Sequence, residues 1–99
     1  MAAEFRDVDP RDLRAPTSRP YGADPAKLQR QIARFGKSAI GMPPPWVYEG
    51  IDGILVIYNG VTRATRIAKL SPGTVIRVEV VGKLWRAFGP LPTIKDLLP

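Results

Sequence analysis

The sequence contains neither cysteine nor histidine. Without cysteine, the chain has no disulfide, no thiol nucleophile and no thiolate metal ligand. Without histidine, it lacks the side chain that most often serves as a general base or binds a metal. These absences exclude thiol catalysis and every triad built on imidazole, and we expect no metal site formed by protein side chains alone.

Long apolar runs are also missing, both of signal-peptide length and of membrane-spanning length. The simplest interpretation is a soluble cytoplasmic protein without a membrane partner, although a domain of a secreted effector would have the same composition. The 99 residues, of which 44% are hydrophobic, suffice for one small core. We therefore predict a single domain over 1–99, with its core at about 5–81 and a tail at 82–99.

The net charge of +6 is concentrated in the second half of the chain. Residues 1–59 are nearly balanced, with eight basic and seven acidic side chains, whereas residues 60–99 hold seven basic and two acidic ones. Such an excess is typical of a surface that binds nucleic acid or nucleotide, and also of an ordinary solvated basic surface. The candidate nucleic-acid-binding residues are Arg63, Arg66, Lys69, Arg77, Lys83 and Arg86.

The most informative stretch runs from Ile54 to Leu70. An apolar run, predicted to be a strand, stops at Asn59-Gly60, and a helix-compatible segment begins at Val61. The first turn of a helix has free amide groups and a partial positive charge, and a glycine lets an anion come close. We expect a phosphate to bind at this corner, next to Asn59 and Gly60 and through Arg63 and Arg66.

The rest of the chain predicts a small α/β (α+β) fold with a mixed sheet of about four strands and two main helices. Asp24, Pro25 and Gly36 predict the bounds of the first helix, because they suit its N-cap, first turn and C-terminal end. Residues 46–48 and 54–58 predict a β-hairpin whose second strand is central, and residues 74–81 predict a further strand. In the tail, Trp85 and Phe88 are expected to pack on the core, and Thr93 to cap a helical turn.

This order of elements resembles the ParB/sulfiredoxin superfamily, in particular the ParB-like N-terminal domain, also described as the ParB-like nuclease domain. Gly60-Val61-Thr62-Arg63 is similar to the family's Gly-x-x-Arg motif, and the likeness extends from about Val8 to Val81. Asp9-Pro10-Arg11, Thr17-Ser18-Arg19-Pro20 and Pro44-Pro45-Trp46-Val47 resemble the segments that surround that motif. The resemblance implies that the corner binds nucleotide phosphates, as ParB proteins do with CTP and sulfiredoxin with ATP. By position it implies Gly60, Thr62 and Arg63 as the phosphate-binding residues, and Arg19 from an earlier loop as a second contact.

The motif also departs from its relatives. Sulfiredoxin needs a cysteine where this chain has Val61 or Thr62, so sulfinic-acid reduction is excluded. Several catalytic members have an acidic residue before the glycine and histidines within the motif, whereas this chain has Asn59 and no histidine. Catalysis is therefore left open. An enzyme of this kind would be a nuclease or a nucleotide phosphohydrolase or phosphotransferase, with Mg²⁺ supplied alongside a nucleotide.

Three functions remain as alternatives. The preferred one is a ParB-like domain that binds or cleaves DNA or RNA, as in a toxin-type nuclease with a protein partner. If it cleaves, the weak candidates for catalytic acids are Glu49, Asp52 and Glu79. Glu49 and Asp52 also fit an exposed turn, and Glu79 fits the polar face of a strand. The second is a CTP-, ATP- or ADP-binding enzyme or switch, in which Trp46, Tyr48 or Tyr58 stacks on the base, although such aromatics more often belong to a core or hairpin. The third is a non-catalytic interaction module.

Overall fold

The fold is a four-stranded mixed sheet with two α-helices, which confirms the predicted α+β class. The computed structural model describes residues 2–99. The strands are β1 (Glu4–Val8), β2 (Trp46–Glu49), β3 (Leu55–Asn59) and β4 (Ile76–Lys83), and the helices are α1 (Pro25–Phe35) and α2 (Val61–Leu70). Two short 3₁₀ turns lie at Pro10–Asp12 and Lys95–Leu97.

The strands lie in the order β1-β4-β2-β3. β1 pairs antiparallel with β4, and β2 and β3 form the predicted antiparallel hairpin. β2 and β4 pair in parallel, and α2 lies between β3 and β4 in the chain. The buried side chains of the core, Val47, Ile57, Ile67 and Val78 among them, lie between one face of this sheet and the helices.

The bounds of α1 follow from its local sequence. The Asp24 carboxylate accepts a hydrogen bond from the Ala26 amide at 2.9 Å, and Pro25 occupies the first helical position. Gly36 ends the helix with a φ of 58°, in the left-handed region that a glycine adopts without strain. Among the apolar side chains Leu28, Ile32 and Phe35 of α1, Leu28 alone is fully buried, and Phe35 is half-exposed.

The prediction that β3 is a central strand was wrong, since β3 lies at the end of the four-stranded order. Its apolar character has another cause. The extended segment at Arg14 pairs with β3 through two backbone hydrogen bonds of 3.0 Å, to Leu55 and from Ile57, and also pairs with Thr93 of the tail. The Arg14 segment therefore covers what would otherwise be an exposed edge of β3, and the tail pairs with that segment in turn.

The tail is accordingly part of the core and not an appendage. Ile94 is 1% exposed within the main core, and Phe88 is 4% exposed. Trp85 does not pack on the core as expected; it is 96% exposed, and residues 84–88 form no helical turn. Thr93 and Asp96 exchange hydrogen bonds of 3.1 Å between side chain and amide, which is the reciprocal cap expected of a short helical turn. Within residues 2–99, no helix is both long enough and apolar enough to cross a membrane.

Candidate phosphate-binding site

A cavity of about 510 Å³ lies at the start of α2. Four segments form it: the loop before α1, α1 itself, the end of β3 and the first turn of α2. We call it the Gly60 cavity. Its lining residues are Pro16, Ser18, Arg19, Lys27, Gln31, Tyr58, Asn59, Gly60, Val61, Thr62 and Arg63.

The lining is cationic. It contains three basic side chains, those of Arg19, Lys27 and Arg63, and no acidic side chain. The start of α2 adds backbone donors, because no side chain caps the helix and its first internal hydrogen bond runs from the Ala64 amide to the Gly60 carbonyl. The amides of Val61 to Arg63 precede that bond and have no partner within the helix, and all three residues belong to the lining. Fixed charge and amide dipoles thus favour an anion in the same space.

Arg63 is the residue whose surroundings most clearly favour an anion. Its Nε is buried without a hydrogen-bond partner, and its Nη2 lies 3.5 Å from the Asn59 side-chain oxygen, at the limit of a hydrogen bond. Within the part of the chain that the structure describes, no carboxylate forms an ion pair with Arg63. Burial lowers its pKa below the ordinary value for arginine, because the charged form has lost part of its hydration. A bound anion would restore what this guanidinium lacks.

Both the backbone conformation and the lack of room for a side chain require a glycine at position 60. Its φ of 113° lies in the region that favours glycine. A side chain at this position would place its Cβ 2.7 Å from Arg63 Nη2 and 2.8 Å from Pro45 Cβ. The sequence suggested that this glycine lets a phosphate approach; the structure shows that it also makes room for the guanidinium of Arg63.

Arg66 differs from the expectation that it contacts a phosphate. It is 2% exposed and lies between α2 and the segment after α1. Its Nη1 donates to the carbonyls of Gly36 and Ser38 at 2.8 Å each, and its guanidinium lies 5.3 Å from the centre of the Phe35 ring. Burial lowers the pKa of Arg66 as well, but these contacts give its charge internal partners. Arg66 is outside the lining of the Gly60 cavity and outside any basic surface.

The other expected nucleic-acid contacts also lie outside the cavity lining. Arg77 faces Asp7 at 3.9 Å, Lys83 lies 3.8 Å from Glu49, and Arg86 lies over the Phe88 ring. Lys69 is exposed near the C-terminal end of α2. These four residues belong to α2, β4 and the tail, and none of them lines the cavity.

The three candidate acids are placed apart from the cavity as well. Glu49 accepts hydrogen bonds from Arg6 at 2.8 and 3.1 Å, and that guanidinium lowers its pKa. Asp52 accepts from the amides of Phe88 and Gly89 at 3.0 and 2.8 Å; burial raises its pKa, but these backbone hydrogen bonds outweigh that effect and lower it. Glu79 lies in the middle of β4. Among residues 2–99, no three acidic side chains cluster in a way that would hold a metal ion.

The sequence missed Lys27 and Gln31. Both lie on α1, four positions apart and therefore on one side of the helix, next to the buried Leu28. By sequence alone they fit the solvated side of α1, because the sequence carries no signal for the packing of α1 against α2 that directs them to the cavity.

Neither the protein-family models nor the curated proteins compared with this chain gave a match. The resemblance to ParB-like domains therefore stays a prediction that rests on the residues quoted for it.

Proposed function

We propose that this chain is a ParB-like phosphate-binding domain that acts on nucleic acid and holds a backbone phosphate in the Gly60 cavity. The observation that carries the proposal is the lining of that cavity: three basic side chains and the first amides of α2, with no acid among them. Phosphate is the common biological anion that this combination of a helix start and guanidinium groups recognises.

The proposal is one of binding and contains no cleavage step. A metal-assisted nuclease needs carboxylates beside the scissile phosphate. Glu49 is engaged with Arg6, Asp52 holds the backbone of the tail, and neither these two nor Glu79 lines the cavity. A role in a toxin would then rest on binding and on a further protein partner.

The test is a titration of labelled single-stranded and duplex oligonucleotides at several salt concentrations, with Arg63→Met and a matched control, Arg34→Met. Arg34 has the same charge and lies on α1 outside the cavity lining. We expect log K to fall linearly with log salt, and Arg63→Met to reduce that slope by roughly 0.7 to 0.9 for the phosphate contact that is lost. Equal effects of the two variants, or no binding at low salt, would overturn the proposal.

A nucleotide is the second candidate ligand, and the shape of the site favours it. A concave space of about 510 Å³ lies within the usual range for a small-molecule site. Calorimetry with CTP, ATP and ADP, each with Mg²⁺, would detect it, and Arg63→Met should abolish the signal while the fold persists. A melting temperature that stays constant with every nucleotide and oligonucleotide would instead favour a non-catalytic interaction module.

A further inference from the structure

The face of the sheet opposite the helices carries an exposed group of aromatic side chains. Trp46 and Tyr58 are 44% and 60% exposed, their rings are parallel within 5°, and their centroids are 6.3 Å apart. The Tyr48 ring meets Tyr58 edge-on at 5.4 Å and packs over Gly82, where a Cβ would lie 3.0 Å from the ring. We call Trp46, Tyr48 and Tyr58 the aromatic face.

Register shows that this group extends across the sheet. Trp46 and Phe5 are both cross-strand partners of Glu79, so both lie on the same face as that residue. Phe5 is 47% exposed, with the Arg77 guanidinium 5.6 Å from the centre of its ring. Four aromatic rings from three strands therefore share the face of the sheet opposite the core residues Val47, Val78 and Val80.

The aromatic face is continuous with the Gly60 cavity, because Tyr58 belongs to both. A strand of nucleic acid with a phosphate near Arg63 would bring its neighbouring bases toward Tyr58 and Trp46. Two rings with a common orientation suit successive bases, since every base has a flat face that stacks regardless of sequence.

The charges around this face match that ligand. The cationic cavity adjoins Tyr58, Arg86 lies on the tail beside Tyr48 and Tyr58, and Arg77 lies beside Phe5. Two acids share the face, Asp7 and Glu79, and Asp7 lies 3.9 Å from Arg77. The protein as a whole carries a net charge of +6. An anionic strand with exposed aromatic bases complements both this positive charge and the aromatic rings.

We propose that the aromatic face is a stacking surface for single-stranded nucleic acid, which selects single strands over duplexes. The inference rests on the proposed phosphate site, since it specifies the form of nucleic acid that the site takes. A duplex keeps its bases stacked inside, so it would offer the aromatic face nothing to stack on.

The test compares three ligands of about 12 nucleotides: a single strand, the same strand in a duplex, and an abasic strand with the same phosphates. Fluorescence polarisation measures their affinities for the wild type, for Trp46→Leu and for the control variant Trp85→Leu. Trp85 is a matched control because it is an exposed tryptophan with no ring contact to the aromatic face among residues 2–99. We expect Trp46→Leu to weaken single-strand binding about five- to hundredfold and to leave abasic binding unchanged, while Trp85→Leu changes neither.

A second measurement does not depend on the stability of Trp46→Leu. The chain has two tryptophans, so Trp85→Phe leaves Trp46 as the single tryptophan, and the single strand should quench its fluorescence while the abasic strand should not. Equal affinity for abasic and base-containing strands, with no quenching, would overturn the stacking surface and leave the phosphate site intact. Quenching with unchanged affinity and salt dependence in Arg63→Met would keep the stacking surface and overturn the phosphate site. If none of the three strands binds, both the surface and its proposed ligand are overturned. The same holds if the fluorescence change follows the protein concentration and not the concentration of the added strand.

Discussion

Arg63 and Arg66 lie three positions apart on α2, and their replacement by methionine should separate ligand binding from stability. Arg66 is buried and donates to two carbonyls at 2.8 Å, whereas Arg63 has a buried Nε without a partner and one contact of 3.5 Å. We expect Arg66→Met to destabilise the fold, and Arg63→Met to leave the fold intact and weaken phosphate binding.

The magnitudes follow from these contacts. A hydrogen bond from a charged donor contributes about 1.5–3 kcal/mol. Because Ser38 is exposed and water can reach its carbonyl, we take the lower value for both bonds of Arg66. Methionine keeps much of the packing of the side-chain stem, so the loss for Arg66→Met is about 3 kcal/mol, or roughly 12–24 °C in Tm for a domain of this size. Arg63→Met loses no strong hydrogen bond, and its cost should stay within about 0.5 kcal/mol.

Urea unfolding followed by circular dichroism measures both values at constant pH and salt. Arg66→Lys serves as a control, because it keeps the charge and loses the planar fork that reaches two carbonyls; its stability should fall between those of the wild type and Arg66→Met. The reasoning is refuted if Arg63→Met costs as much stability as Arg66→Met, or if Arg66→Met leaves the midpoint unchanged.

Three further outcomes can be checked. Gly60→Ala should lower both the melting temperature and phosphate affinity, because the new Cβ would strain the backbone and displace Arg63; calorimetry on the same sample reports both. Arg6 holds the pKa of Glu49 below its unfolded value, so their pairing stabilises the fold fully above the unfolded pKa of about 4.3 and loses this effect as the pH falls through the native pKa. Glu49→Gln should therefore flatten the acid side of the curve of stability against pH. Urea titrations at several pH values measure this curve, and an unchanged slope on its acid side would contradict the prediction. Asp52→Asn should speed amide hydrogen exchange in residues 84–92 without a matching change in β4, because the tail loses a charged acceptor.

The elements that the sequence predicted well are those with strong local signals. The cap at Asp24, the stop at Gly36 and the break at Asn59-Gly60 are decided by the residues themselves and their immediate neighbours. The apolar run of β3 was interpreted as a sign of a central strand, because sequence cannot show which segment covers an edge. The covering segment at Arg14 is flanked by prolines and has no strand pattern of its own.

The candidate site was only partly predictable for a related reason. Gly60 and Arg63 follow from the strand-glycine-helix pattern, but the direction of an arginine on a helix depends on what packs against that helix. Residues 64–68 of α2 are all buried, because one side of this helix packs on the core next to the sheet and another side packs against α1. Arg66 points toward the segment that follows α1. The sequence does not distinguish this buried arginine from one that faces a ligand.

This arrangement gives Arg66 an indirect connection to the cavity. Its Nε lies 3.3 Å from the Gln31 side-chain oxygen, and Gln31 lines the Gly60 cavity together with Arg63. The buried guanidinium thus ties α1 to α2 and fixes the distance between the two walls that carry Lys27 and Arg63. A phosphate that bridges those walls would favour the same separation, so ligand binding and the contacts of Arg66 should stabilise one another. Thermal stabilisation by the ligand should therefore be smaller in Arg66→Lys than in the wild type, even though Arg66 never touches the ligand.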